Sequence, residues 1–175
     1  DPVTGDARFC GTTASMCGVE KAGFEQDEEE MDKAISLDVM LHAYMFMQSG
    51  IPVLYSGDEI GQVNDYSYKE DPNKAEDSRY IHRGVMNWEL AEKIQQKDSV
   101  EGRIFNRLSC LEKIRKTEKA FVNQADTKTV DTKDTSVLCI ERSLKDDKII
   151  GIFNFSEAEK IAHIEETDGD YQDML

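Results

Sequence analysis

Apolar positions change their spacing along the chain, and each change predicts a different kind of element. From about 99 to 118, Val100, Ile104, Leu108, Leu111 and Ile114 recur at intervals of three and four. Arg103, Arg107, Lys113 and Arg115 fall outside that stripe, so the segment predicts an amphipathic helix with one buried face. Asp98 and Glu101 stand three apart at its start, the spacing of a capping box. The segment from about 28 to 49 is different. It becomes apolar on most sides through Leu37, Met40, Leu41, Tyr44, Met45, Phe46 and Met47, which predicts a helix buried on several faces. Its methionines are better explained as core filling than as a plastic binding surface. The acidic run from Glu25 to Asp32 is the start of this helix rather than a binding tail. Asp27 and Glu30 form a second capping-box pair, and the helix dipole favours carboxylates in a first turn. Residues 9–22, small and apolar, predict a short helix bounded by Gly11 and Gly23.

After Gly50 the run Ile51-Pro52-Val53-Leu54-Tyr55 is short, apolar and β-prone, the pattern of a buried parallel strand. Helix, tight turn and buried strand make one step of an α/β fold. Residues 62–87 carry no long periodic segment, and a loop of that length is usually functional or disordered. Tyr66, Tyr68, Tyr80, Ile81, Met86 and Trp88 argue for packing there. A shorter helix is expected at about 88–96. Beyond Ala120 the pattern becomes β-like. Thr135–Ser143 and Lys148–Phe155 read as strands joined by a hairpin turn at Leu144-Lys145-Asp146-Asp147, and Glu159–Ile164 is a third strand candidate. The shift near 119–121 is the expected domain boundary.

The chain of 175 residues is long enough for one or two domains with a real core. Lys plus Arg number 21 against 36 Asp plus Glu, a formal charge of -15, which argues against a nucleic-acid partner because such binding needs a basic face. No apolar run approaches the eighteen or so residues of a membrane span, so no membrane partner is expected. No signal peptide opens the chain; its location stays unknown, with the cytoplasm favoured. Asp1-Pro2-Val3-Thr4-Gly5-Asp6 resembles a loop from the middle of a protein, so the chain is expected to be a piece of something larger. Cys10, Cys17, Cys110 and Cys139 are widely spaced without a CxxC pair, and only His42, His82 and His163 accompany them. Reduced, mostly buried thiols are expected, a Cys10–Cys17 disulfide stays open, and no metal or cofactor is expected.

Two clusters could carry chemistry. Asp58 and Glu59 sit in a glycine-framed turn directly after the apolar run. Retaining glycoside hydrolysis needs two carboxyl groups about 5–5.5 Å apart across one bond. Adjacent residues in extended backbone project to opposite faces, so this pair is poorly built for that task. One of them should bond to backbone amides of the turn or meet an arginine. The second cluster is Glu76-Asp77-Ser78-Arg79 with His82 and Arg83 behind it. An arginine there could fork onto a carboxylate or a sugar hydroxyl pair, and the cluster could equally be a surface salt-bridge group. No GxxxxGK or GxGxxG motif is present, and Asp71-Pro72-Asn73 lacks EF-hand spacing.

Three stretches in order resemble one family. "DPVTGDARFCGT", "GIPVLYSGDEIGQVNDYSY" and "DPNKAEDSRYIHRGVMNW" are similar to the amylosucrases and related sucrose-acting enzymes of the α-amylase superfamily (glycoside hydrolase family 13), over residues 1 to about 120. The resemblance implies an α/β plus β chain. Residues 1–119 would be the C-terminal part of a catalytic (β/α)8 barrel, and 120–175 part of the antiparallel β-sandwich domain that follows it. It implies retaining transfer of a glucosyl unit from sucrose or short α-glucosides, through a covalent glucosyl-enzyme. Arg79 matches the arginine that closes the glucosyl pocket through a salt bridge to an upstream aspartate. Arg8 matches one lining the acceptor side, and Asp58 and Glu59 match a non-catalytic "GDE" turn. The family's nucleophile, acid/base and stabilising carboxylates have no motif in this chain, so no catalytic residue is expected here and the chain alone is expected to be inactive. The alternative is a non-catalytic carbohydrate- or protein-binding module. Isolated apolar faces at 28–49 and 51–55 also predict self-association.

Overall fold

A computed structural model describes Gly5 and residues 9–164 and 171–175. The helices are α1 (Thr13–Cys17), α2 (Val19–Glu25), α3 (Glu28–Met47), α4 (Trp88–Glu92) and α5 (Val100–Thr117). The strands are β1 (Asp126–Val130), β2 (Val137–Leu144) and β3 (Asp147–Asn154), and short 3-10 turns fill several of the connections. The chain divides into two compact units: residues 1–38 with 54–106, and residues 39–53 with 107–175.

In the first unit the small apolar segment near the N-terminus forms two helices, where a single one was expected. Gly18 takes φ 102° between them, a left-handed conformation that ends α1 and starts α2 in one residue. Thr12 caps α1 by accepting the Ser15 N–H at 3.2 Å. Asp27 does the same for α3, accepting the Glu30 N–H at 3.0 Å, so the acidic run does open a helix. Ala14, Val19, Ala22, Ala34, Ile35, Ile60 and Ile104 are buried and form the core of this unit. The predicted capping box of α5 is displaced by one residue. Ser99, rather than Asp98, caps it by accepting the Gly102 N–H on Oγ at 2.9 Å. Its hydroxyl also reaches the carbonyls of Lys93 and Gln96, at 3.0 and 2.8 Å, a geometry that a short side chain achieves and residue spacing alone does not reveal.

The apolar run Ile51–Tyr55 is not a strand. It forms no ladder with any described residue, and Ile51 and Val53 are 90% and 75% exposed. A strand needs a neighbour to take its backbone groups, and none of the described segments pairs with this one.

The second unit is built on a three-stranded antiparallel sheet in the order β1-β2-β3. The predicted hairpin forms, with Leu144 opposite Asp147 and Lys145-Asp146 as a two-residue loop. Lys145 has φ 55°, the left-handed value that a tight hairpin turn demands. Strand β1 is absent from the sequence-based expectation because Asp126-Thr127-Lys128-Thr129 is polar and exposed, with Val130 alone buried. The candidate strand at Glu159–Ile164 joins no ladder. Central β2 is buried on both faces and brings Glu141 and Arg142 inside with Cys139 and Ile140. Glu141 lies between Lys128 on β1 at 3.6 Å and Lys148 on β3 at 3.4 Å, a cross-strand triad that compensates its burial.

Among the described residues Arg142 has no carboxylate partner. Its Nε donates to the Ala120 carbonyl at 2.8 Å and its Nη1 to Thr127 Oγ1 at 3.0 Å and the Met47 carbonyl at 3.3 Å. Arg115 donates to the carbonyls of Phe46, Gln48 and Gly50, the last at 2.6 Å. Both guanidiniums lie over Phe121, at 5.1 Å for Arg115 and 5.3 Å for Arg142. Two cations thus take the unpaired carbonyls at the C-terminal end of α3, the negative pole of its dipole. Burial lowers the Arg115 pKa, with the Arg142 charge adding to it, and burial alone lowers that of Arg142.

Candidate functional site

The glycine-framed turn is a 3-10 turn, Asp58–Ile60, between Gly57 at φ 103° and Gly61 at φ 61°. Its two acidic side chains fold back onto it. Asp58 Oδ2 accepts the Tyr55 N–H at 3.1 Å, and Glu59 Oε2 accepts the Gly57 N–H at 2.8 Å. Ile60 points inward and is 2% exposed. Gly61 packs so closely on Ile104 that a Cβ would overlap its Cδ1. The Asp58 charge is felt by the neighbouring Cys17 thiol. Burial first, then the charges of Asp38 and Asp58, push that thiol up to about 12. Cys10, Cys17, Cys110 and Cys139 are all free, and Cys10 contacts Ser78 Oγ at 3.5 Å.

The long loop after the turn is ordered by side chains that reach across it. Gln62 accepts the Asn87 N–H at 3.0 Å and donates to the Val85 carbonyl at 3.3 Å, closing its two ends together. Asn64 accepts the Thr12 N–H at 2.8 Å, and its own N–H donates to Ser15 Oγ at 2.9 Å. These bonds hold the loop against the start of α1. Within it a series of Asx turns at Asp65, Asp71 and Asp77 sets the local curvature. Tyr80 receives Lys74 and Arg83 over its ring at 5.7 and 5.9 Å. Asn87 then caps α4 by accepting the Leu90 N–H at 3.1 Å, and leaves Trp88 71% exposed.

Arg79 lies on the 3-10 turn Ser78–His82, which Asp77 caps. Its Nε donates to Asp77 Oδ1 at 2.8 Å and its Nη2 to Oδ2 at 2.7 Å, a two-pronged pair. Asp77 Oδ1 also accepts the Arg79 backbone N–H at 3.0 Å. The hydrogen bond from the Arg79 side chain is the main reason the Asp77 carboxyl falls to about 2, and the same pairing raises the Arg79 pKa. His82, on the last position of this turn, stands edge-on to Tyr55 with ring centroids 5.8 Å apart. That contact joins the arginine-bearing turn to the residue just before the glycine-framed one. Of the residues singled out from the sequence, the structure places Asp58, Glu59 and Arg79 in one unit, whereas Arg8 lies outside the described residues. Asp77 was visible only as part of a charged cluster. The i, i+2 spacing to Arg79 in a turn-forming segment was the signal that could have singled it out.

Among the described residues no group of three or more His, Cys, Asp or Glu side chains is arranged to hold a metal ion, and no helix is long and apolar enough to cross a membrane. No family model matches the chain. A curated relative, glucosylglycerate phosphorylase of Escherichia coli (strain K12), is 26% identical over 140 residues. The match takes in 78% of this chain and 24% of the relative, so the chain spans about a quarter of that protein's length. The chain is therefore distantly similar to a glycosyl-transferring enzyme.

Proposed function

We propose that this chain is the C-terminal part of an amylosucrase-like enzyme that transfers α-glucosyl units, with retention, from sucrose or short α-glucosides. In this reading residues 1–119 complete a (β/α)8 barrel and 120–175 begin a β-sandwich domain. The observation that carries it is the ordered match of three long motifs across residues 1–88. The distant likeness to a glucosyl-handling phosphorylase, over 78% of this chain and 24% of the relative, supports it. Arg79 and Arg8 would bind substrate and acceptor, Asp58 and Glu59 would hold the turn between them, and the reacting carboxylates would lie elsewhere in the polypeptide. The partners are sucrose or α-glucan, with neither nucleic acid nor membrane involved. The formal charge of -15 supports the first exclusion.

The test has two arms. The purified chain incubated with sucrose should release neither glucose nor fructose, whereas the longer polypeptide that contains it should release fructose and pass glucose to an acceptor. Turnover by the chain alone would sink the assignment of the reacting carboxylates to other parts of the protein. A longer polypeptide inert toward sucrose and short α-glucosides would sink the whole reading.

The relative's name favours a second reading, in which the acceptor is orthophosphate. Glucose 1-phosphate formed only when orthophosphate is supplied would select it. A dedicated carbohydrate-binding module predicts something else again: saturable binding of sucrose or maltooligosaccharides by the isolated chain. Ile51, Val53 and Phe9, 90%, 75% and 97% exposed, support self-association of the chain on its own. A strictly monomeric species by light scattering at high concentration would count against that.

A further inference from the structure

The pairing of Arg79 with Asp77 has a consequence for how a ligand can be bound. A guanidinium offers two edges, each with a pair of parallel N–H groups: one formed by Nε and one Nη, the other by the two terminal nitrogens. In this chain Asp77 occupies the first edge, with Nε to Oδ1 at 2.8 Å, Nε to Oδ2 at 3.1 Å and Nη2 to Oδ2 at 2.7 Å. Nη1 has no hydrogen-bond partner among the described residues, so the terminal edge is the open one. The carboxylate is itself held. Asp77 donates its backbone N–H to the Lys74 carbonyl at 2.8 Å and accepts the Arg79 N–H at 3.0 Å, which fixes its rotamer relative to the turn.

From this geometry we infer that Asp77 is a positioning residue for Arg79: it fixes the guanidinium plane and turns the terminal Nη1/Nη2 edge toward the bound sugar. The inference rests on the reading of Arg79 as a substrate-binding residue. Ordinary surface ion pairs contribute little because two long side chains must be ordered to form them. Here the partner is two residues away on a capped turn and the contact is two-pronged, so most of that ordering is already done. The carboxyl of Asp77, at about 2, stays ionised across the physiological range and keeps the fork in place.

Asparagine separates the two duties of this side chain, because it caps a helix start about as well as aspartate but carries no charge to hold a guanidinium. In the chain itself, the Arg79 Nε–Hε group should give a sharp, slowly exchanging nitrogen-15 NMR signal. Asp77→Asn should broaden that signal or speed its exchange at least several-fold, while backbone amide signals of residues 78–83 stay in place. In the longer, active polypeptide, Asp77→Asn should raise the KM for the glucosyl donor by about ten-fold, the scale of one charge-assisted hydrogen bond, and change kcat far less. Once Arg79→Lys is present, Asp77→Asn should add no further loss, because the residue it positions is gone. An Hε signal indifferent to Asp77→Asn, or losses that combine in full in the double variant, would overturn the positioning role. If Arg79→Lys alone leaves KM unchanged, the substrate-binding reading of Arg79 fails. The NMR result then still decides whether Asp77 orients the guanidinium.

Discussion

Arg142 offers the most direct test of how the second unit is held together. It is 1% exposed, yet faces three carbonyls, those of Met47, Ala120 and Val122, and two hydroxyls, those of Ser49 and Thr127. Replacing it with methionine keeps most of the aliphatic stem and removes every donor. The two shortest bonds, to Ala120 at 2.8 Å and Thr127 at 3.0 Å, involve a charged donor, for which about 1.5–3 kcal/mol each is typical. Against this, the variant no longer desolvates a guanidinium, a gain of several kcal/mol. The carbonyls left without donors decide the sign, because buried acceptors cannot turn to water. The net expectation for Arg142→Met is a loss of about 3 kcal/mol, the scale of a few buried carbonyls left unsatisfied at about 1–3 kcal/mol each, less the desolvation regained. Arg142→Lys keeps the charge but cannot reach Ala120, Met47 and Thr127 at once, so it should lose about 2 kcal/mol. Urea unfolding followed by far-UV circular dichroism, with amide exchange of the β2–β3 ladder as a local reporter, measures both. If both variants unfold within about 0.5 kcal/mol of the wild type, the clamp does not hold the end of α3 and the argument is wrong.

Three further outcomes are expected. Gly61→Ala should destabilise the first unit by about 2 kcal/mol or more, since the new Cβ meets a fully buried Ile104 and φ is 61°; thermal unfolding would show it, and an unchanged midpoint would contradict the packing. Asp134, hydrogen-bonded by the Ser136 hydroxyl at 2.6 Å and paired with Lys160 at 3.2 Å, has its carboxyl lowered from 3.8 to about 2. A lowered folded pKa gives stability that is present above the unfolded value and lost as pH falls through the folded one, so its contribution should fade between about pH 4 and 2. Carbon-13 NMR titration should place its midpoint near 2, and Ser136→Ala should raise it. In the native chain, Cys10 and Cys110 should react with a thiol reagent well before Cys17 and Cys139, which are buried and whose thiols burial pushes up; equal rates for all four would refute the burial pattern.

Much of this protein is local, and local features are legible in a sequence. The stripe from Val100 to Ile114 gives α5 because periodicity reports which face loses water, and Ile104 and Leu108 are indeed buried. Asp27 opens α3, and Lys145-Asp146 closes a two-residue hairpin, because caps and tight turns depend on a few adjacent residues. The carboxylates of Asp58 and Glu59 both bond to amides within three residues, where the glycine-framed turn suggested this for one of them. Partnership between distant segments is another matter. Ile51–Tyr55 has the composition of a strand, but a strand exists only beside a neighbour, and here the described segments supply none. Polar β1 has no strand signature of its own, and pairs because β2 presents an edge from Cys139 to Ser143. In the sequence Arg115 falls outside the apolar stripe of its helix, and nothing singles out Arg142. The fold brings each of them over the Phe121 ring and onto the carbonyls ending α3, which no count of residues between them could disclose. In the candidate site, likewise, the sequence by itself brought Arg79 forward, and the folded turn decided that Asp77 holds one edge of it and leaves the other open.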